Sequence, residues 1–582
     1  MKILFKTIRF VLDVLPKKYH LKLSLVAFLL LVNSLLEILG LGAIIPVFSV
    51  LLEDNVVEKY GWASWMYNNF GLTDERQLIV TLAIGLLVVI IIKNILSLWI
   101  LKINSTFSLG LYKDFTLRLH KLYYKTGFSF FKTTNSNLVV RNLRTATNQF
   151  ANLQVLGSLN LLNEIIVLIF IVVSIALYNL QILAILCLTV IPPFFFFYRW
   201  VSLRSVKLGE ISNRITPIVG KNMFQSIFGY VDVVITGSEK VFRKRIKKNL
   251  DELVEVDIKT NIYNLAPTRI IETSLMLAIA VIVSFGIYYL PSKTELLKLL
   301  GLFAVAGYRI MPSINRMMIA INGLNRSRWV FEILSPLEEE GFEEKKIKEI
   351  DLAFEKQLKL ENISFSYEGN DDPIFKDYSL TIKKGEVVGL IGPSGAGKTT
   401  LMNILLGFLK PITGSYFVDD TPLDEAHLKS FYKKVGYVQQ QVYLIDGSIA
   451  ENVAFGCKPK DIDQEKLKEV LDKASLWNMI ESLPDGVNEM IGENGTKLSG
   501  GQRQRVGIAR ALYFDAEILF FDEATSSLDS QTEKEITEAI NALSDGNLTL
   551  IIIAHRTSTL KHCDRIIEVN LAKNATQLQE TS

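Results

Sequence analysis

The sequence predicts two folds on one chain: a six-helix transmembrane domain, then an α/β domain built round a phosphate-binding loop. Three observations carry that prediction. Apolar runs long enough to cross a bilayer crowd the first 330 residues. A glycine loop, "GPSGAGKTTL" at Gly392–Leu401, lies between a strand-like run and a helical one. Between the two regions the composition changes, at the charged "EILSPLEEEGFEEKKIKEID" of Glu332–Asp351. The chain therefore divides into a membrane domain, 1–330, a linker, 331–356, and a nucleotide-binding domain, 357–582.

A spanning helix needs about 20 mostly apolar residues. Six stretches qualify: Leu21–Leu51, Gln77–Ile103, Ser158–Tyr178, Leu180–Val201, Ile262–Leu290 and Leu296–Ile321. The opening "MKILFKTIRFVLDVLPKKYH" is basic and apolar and has no small-residue cleavage site. It reads as an amphipathic helix lying on the membrane surface. Lysine and arginine set the orientation. They gather at the N-terminus (Lys2, Lys6, Arg9, Lys17), after the second span (Lys113, Arg118, Lys121, Lys125) and after the fourth (Arg204, Lys207, Arg243, Lys244). The loop after the first span is acidic, with Glu53, Asp54, Glu58, Asp74 and Glu75. The expectation is a multi-pass protein of the plasma membrane, the inner one in a bacterium, with both termini and both long connections in the cytoplasm. The Glu53–Arg76 loop is expected outside, its Trp62, Trp65 and Tyr67 suited to the interface. The long connections carry helical periodicity, as in "FSLGLYKDFTLRLHKLYYK", so the spanning helices are expected to run on past the bilayer and turn back.

Composition excludes other classes. Lys+Arg 63 against Asp+Glu 60 leaves +3, no basic excess for nucleic acid. Cys187, Cys457 and Cys563 stand far apart, which gives neither a disulfide framework nor a zinc site.

In the second half, "KGEVVGLIGPSGAGKTTLMNIL" places strand, loop and helix in order. Gly392 to Thr399 fits G-x-x-x-x-G-K-[ST]. Gly392, Gly395 and Gly397 let backbone N–H groups turn toward phosphate oxygens. Ser394 and Thr400 belong to the same cradle, Lys398 reaches the outer phosphates, and Thr399 offers a hydroxyl to magnesium. In "EILFFDEATSSLD" a buried strand ends at Asp522 and Glu523. Asp522 is positioned as a magnesium ligand and Glu523 as the general base toward water. "LTLIIIAH" is a further strand, ending at His555, where an imidazole can meet the γ-phosphate.

"LSGGQ", Leu498–Gln502, between the glycine loop and the acidic strand, resembles the signature of ABC-type ATPases. The resemblance runs in family order over about Gln357–Asp564. It implies that Tyr367 stacks on adenine, that Gln440 is the glutamine sensor near magnesium, and that Ile491–Gly495 with Glu493 is the loop of exporters before the signature. It also implies that Ser526–Asp529 is the dimer-facing loop and His555 the switch histidine. ATP and Mg2+ are the implied cofactors. In the family the glycine loop of one domain and the signature of another sandwich ATP, here through Ser499, Gly500, Gly501 and Gln502. One chain has one of each, so a homodimer of this chain is implied. Six spans fused to one ATPase resemble a half-transporter of the ABC exporters, with the helical domain of the type IV exporter fold. "FFKTTNSNLVVRNLRTATNQF" and "GKNMFQSIFGYVDVVITGSEKVF" resemble the tips of exporter hairpins, the second with Gln225 where many members carry glutamate. After Glu568 the chain lacks the family's glycine-containing strand pair.

Charges inside spans point to cargo. At 1.5 Å per residue, Lys93 lies about 24 Å below Gln77, Arg309 about 20 Å below Leu296 and Arg269 about 30 Å below Leu290. These depths make an inner-leaflet cationic belt for an anionic headgroup such as a pyrophosphate. Alternatives stay open: Arg269 can pair with Glu272, Lys93 can snorkel, and Arg316 can lie at the cytoplasmic end. "FAVAGYRIMPSINRMM" and "IIIKNILSL" resemble the PglK-like flippases of lipid-linked oligosaccharides. That resemblance implies ATP-driven flipping of a polyprenyl-pyrophosphate-linked oligosaccharide from inner to outer leaflet, with Arg309, Arg269 and Lys93 toward the pyrophosphate. The competing reading is an exporter of another lipid, a drug or a peptide. The spans argue against a soluble repair or translation ATPase.

Overall fold

The computed structural model describes residues 2–42, 56–72, 75–178, 180–289, 293–339, 348–367, 372–523, 534, 538, 548–554 and 560–569. It divides into two compact units, Met1–Glu344 and Lys345–Ser582.

The first unit is helical. After α1 (Lys2–Val14) and α2 (Lys17–Gly42) come five long helices: α3 (Glu75–Thr126), α4 (Gly157–Tyr178), α5 (Leu180–Phe228), α6 (Glu239–Tyr289) and α7 (Lys293–Arg326). At 52, 49 and 51 residues, α3, α5 and α6 are far longer than a bilayer requires. Each is about 75 Å long against a hydrocarbon core of about 30 Å, long enough to extend well past one crossing. Five helical stretches among the described residues are long and apolar enough to cross: Lys17–Leu36, Arg76–Thr126, Ser136–Val173, Leu183–Phe228 and Glu239–Ser284. The remaining expected span, 296–321, falls within α7. Prolines sit inside α5 (Pro192, Pro193, Pro217), α6 (Pro267) and α7 (Pro312). Neighbouring helices make such interruptions tolerable in a membrane bundle. A short helix, Tyr230–Ile235, caps the α5–α6 hairpin and leaves Tyr230, Val231, Val234 and Ile235 exposed.

The amphipathic α1 is docked on protein along one face. Val11, Val14 and Leu15 are buried with Phe107, Leu111 and Phe115 of α3, Phe150, and Val330 and Leu334 after α7. A helical apolar stripe looks the same whether it faces lipid or side chains, and here most of it faces side chains; Phe5 and Leu12 stay exposed. The chain returns from α3 to α4 through π-helical turns at Asn142–Ala146 and Phe150–Leu156. Within the second turn the buried Gln154 donates to Leu324 O at 3.0 Å and Ser327 Oγ at 2.8 Å, and accepts from Thr7 Oγ1 at 3.4 Å. One amide thus ties α1 and the end of α7 to the return segment.

The expected linker, 331–356, is shared between the units in its described parts. Leu334 and Leu337 bury in the first unit's core. Leu352 and Phe354 bury in the second unit, where Ser430 Oγ donates to Asp351 at 2.7 Å.

The second unit has two sheets. The antiparallel one orders β2 (Phe375–Lys383), β1 (Gln357–Phe365), β4 (Thr413–Val418) and β5 (Thr421–Pro422). The parallel one orders β6 (Val435–Val438), β7 (Ile518–Asp522), β8 (Thr549–Ile553), β3 (Val387–Ile391) and β9 (Arg565–Glu568). β3, β7 and β8 are continuous apolar runs, as strands covered on both faces must be. Their carboxyl ends lie together, where open α/β sheets bind ligands. β9 pairs with β3 at the edge, so a closing strand forms at Arg565–Glu568.

Candidate nucleotide-binding and catalytic site

The glycine loop leaves the carboxyl end of β3 and enters helix α8 (Lys398–Leu405). Gly397 caps that helix in the left-handed region, φ 94°. Gly392 passes Val569 so closely that a Cβ there would lie 2.3 Å from the Val569 carbonyl oxygen. No side chain fits at that point. Lys398 is buried and folds over the loop, donating from Nζ to Gly392 O at 2.8 Å and Pro393 O at 3.1 Å. The ammonium is therefore already inside the turn, held by neutral carbonyls that an anionic phosphate outcompetes. Ser394, Gly395 and Thr399 are exposed on the loop and the first helical turn, while Thr400 is buried. Tyr367 follows β1, its ring edge-on to Phe365 and its hydroxyl 3.3 Å from Thr400 Oγ1. The predicted adenine platform is thus beside the loop's helix.

β7 brings the two acids to the same rim. Burial is the main force raising the Asp522 pKa, and the Glu523 charge adds to it. The Tyr437 hydroxyl, at 3.3 Å, and the Lys398 ammonium pull it down. A half-buried carboxylate held this way suits a cation. Thr399 and Gln440 supply neutral oxygens of the kind magnesium accepts beside phosphates, so the donor set fits Mg2+. Glu523 turns off the strand at φ 48°, a conformation rarely adopted by a side-chain-bearing residue. Its N–H is held by Ile553 O at 3.0 Å, and its Oε2 accepts from Gln440 Nε2 at 2.8 Å. The structure therefore brings together Lys398, Asp522, Glu523, Gln440 and Tyr367. His555 and Ser526–Asp529 lie outside the described residues.

The signature opens helix α10 (Gly500–Tyr513), numbered after α9 (Gln464–Lys473). Ser499 is its N-cap: Ser499 Oγ accepts from Gln502 N, and Gln502 Oε1 accepts from Ser499 N at 2.8 Å. This reciprocal box fixes the first turn and presents the Gly500 and Gly501 amides at the positive helix end. Before it, Glu493 is exposed in a tight turn whose Asn494 has φ 53°.

In the membrane unit the structure places two of the three side chains of the expected belt. Lys93 is half-buried on α3. Arg269 pairs with Glu272 at 3.0 Å on α6, with its side chain 81% exposed, beside an open groove of Ile258, Ile262 and Leu265. Arg309 lies on α7 with its side chain outside the described residues. The sequence reading missed a different pair. Arg316 of α7 donates from Nε to Glu164 Oε1 at 2.6 Å and from the terminal nitrogen to Oε2 at 3.3 Å. Glu164, on α4, is only 6% exposed. Its neighbour Asn163 donates to Ser34 of α2 at 2.7 Å. Two successive residues of α4 thus reach two other helices, through partners more than a hundred positions away that no local pattern signals.

Comparison with known proteins follows the same division. The ABC transporter family matches residues 375–526. The chain is 41% identical over 247 residues to the ATP-dependent lipid A-core flippase of Ralstonia nicotianae, covering 42% of this chain and 41% of that relative, less than half its length. It is 28% identical over 456 residues to the lipid A-core flippase of Burkholderia pseudomallei, covering 78% and 76%. In fold it is similar to a bacterial Atm1-family ABC exporter solved with ATP bound: TM-score 0.74, 21% identity, 97% and 96% of the two chains. A helical membrane unit with an ABC exporter's fold is thus joined on one chain to an ATPase unit that matches the ABC transporter family and is similar to that of the lipid A-core flippases.

Proposed function

We propose that two copies of this chain use ATP to move a lipid with a phosphorylated saccharide headgroup from the inner to the outer leaflet. The observation that carries the reading is that one chain holds a full glycine-loop half-site and one signature turn, fused to an exporter bundle. In the dimer, Lys398, Ser394, Gly395, Thr399 and Thr400 bind the phosphates and Tyr367 the base. Ser499, Gly500, Gly501 and Gln502 of the second copy close the site. Thr399, Gln440 and Asp522 would hold Mg2+, which screens phosphate charge when bound. Glu523 takes the proton of the attacking water, and His555 is assigned to the γ-phosphate side.

For the cargo, relatives named as lipid A-core flippases favour a lipid. Our finer reading, from the membrane sequence, is a polyprenyl-pyrophosphate-linked oligosaccharide. A lone cation at inner-leaflet depth costs at least about 2.5 kcal/mol. A doubly charged headgroup offsets that for Arg309 and Lys93. Arg269 is the weakest member, because Glu272 already neutralises it. The exposed Trp65 on the helix Gly61–Asn69 suits the lipid tail at the outer interface. Neutralising Arg309 and Lys93 to alanine is expected to reduce flipping at least tenfold while basal ATP hydrolysis persists, for loss of charge-assisted contacts. Both activities are read in the same proteoliposomes. Undiminished flipping in the double variant removes the belt from the account.

A further inference from the structure

Helix α10 carries the signature turn at one end, and its side is clamped to the segment that carries Gln440. Gln504, Gly507 and Ala511 share one face, at spacings of three and four. A Cβ on Gly507 would lie 2.8 Å from Val442 Cγ2, and one on Gly436 of β6 would lie 2.8 Å from Ala511 Cβ. The helix therefore lies directly on β6 and the residues after it. From this face the buried Gln504 donates its Nε2 to Gln440 O at 2.6 Å and Gln439 O at 3.3 Å. Gln440 in turn donates its own side-chain amide to Glu523 Oε2 at 2.8 Å. Two hydrogen bonds, joined through the covalent frame of Gln440, thus link the signature helix to the carboxylate expected to activate water.

Gln504 is a costly choice for packing alone. Its Oε1 is buried with no hydrogen-bond partner among the described residues. A leucine or methionine would fill the same space without stranding an acceptor. The amide is explained by what its N–H group holds.

The two ends of that link serve different sites. Resting on the shared-site reading above, the signature turn of one copy closes the ATP site of the other, while Glu523 works in its own copy's site. We propose that Gln504 is a positioning residue that couples the two ATP sites of the dimer: nucleotide docking on the signature turn shifts α10, displaces the Gln440 carbonyl and releases the Gln440 amide from Glu523. A site then becomes competent when the opposite site is filled. No covalent step is involved; one hydrogen bond exchanges for another.

The test compares Gln504→Met, which keeps the length and removes the donor, with Gln504→Glu, which keeps the shape and reverses the polarity. Equilibrium binding of a fluorescent ATP analogue to the full-length dimer should stay within about twofold of wild type, because the site's own contacts remain. The Hill coefficient of ATP hydrolysis, which for two coupled sites lies between about one and two, should fall to about one. The maximal rate should fall about tenfold, with half-saturation little changed. A role confined to packing predicts the reverse: weaker binding with cooperativity intact. Wild-type cooperativity in either variant that binds the analogue, or a wild-type coefficient of one, overturns the proposal; if neither variant binds, Gln504 is structural and the proposal is likewise overturned. The shared-site reading is tested separately, by mixing Lys398→Ala with Ser499→Arg chains. One intact site in the mixed dimer upholds it, and two sites each damaged once refutes it whatever Gln504 does.

Discussion

Glu523→Gln is expected to cut ATP turnover by a factor of about a hundred to ten thousand, the range seen when a general base is removed. The substitution is isosteric, so the turn at φ 48° and the bond from its N–H to Ile553 O remain. What goes is the carboxylate oxygen that Gln440 holds at 2.8 Å. An amide there cannot take a proton from water, yet nothing that binds phosphate has changed. Bound ATP should persist and keep two copies associated. Steady-state hydrolysis and retained radiolabelled nucleotide check the two halves of the expectation. Turnover near wild type removes Glu523 from its role.

The second large effect is structural. Glu164→Ala takes away the carboxylate that receives two bonds from Arg316 and leaves a guanidinium in the bundle without it. Removing one member of a buried pair costs 3–5 kcal/mol as a rule. Arg316 is 41% exposed, so the loss should fall below that range, at about 1–3 kcal/mol. The unfolding midpoint in detergent should drop sharply. A swap, Glu164→Arg with Arg316→Glu, should recover most of the loss, since the pair is neutral either way round. If the swap recovers stability and flipping together, the pair fixes α4 against α7 and takes no part in binding cargo. If Glu164→Ala leaves the midpoint unchanged, the pair contributes nothing to the bundle.

These two cases mark what was legible in the sequence. The local elements of the candidate nucleotide site were readable because each is short-range: Gly392–Thr400 is one turn, Asp522–Glu523 one strand end, and Ser499–Gln502 one helix cap. Each motif encodes its own backbone geometry. The bonds between motifs were not readable. Gln440 to Glu523, Gln504 to Gln440 and Tyr437 to Asp522 all depend on β6 lying beside β7, and strand order is a property of the whole sheet. The great length of α3, α5 and α6 followed from periodicity. The docking of α1 did not, because the same stripe of Val11, Val14 and Leu15 suits lipid or protein. The pairing of Glu164 with Arg316 was not readable, since 152 positions separate them.

In the proposed function, ATP turnover at this site drives a phosphorylated glycolipid across the membrane. The most direct measurement places wild type in vesicles with a fluorescent polyprenyl-pyrophosphate oligosaccharide and follows its arrival in the outer leaflet, with Glu523→Gln as the blank. ATP-dependent arrival is expected with wild type, none with the variant, and competition by added lipid A-core. Arrival of lipid A-core with no movement of the pyrophosphate lipid would contradict the cargo assignment, and arrival that proceeds equally with Glu523→Gln would contradict the claim itself.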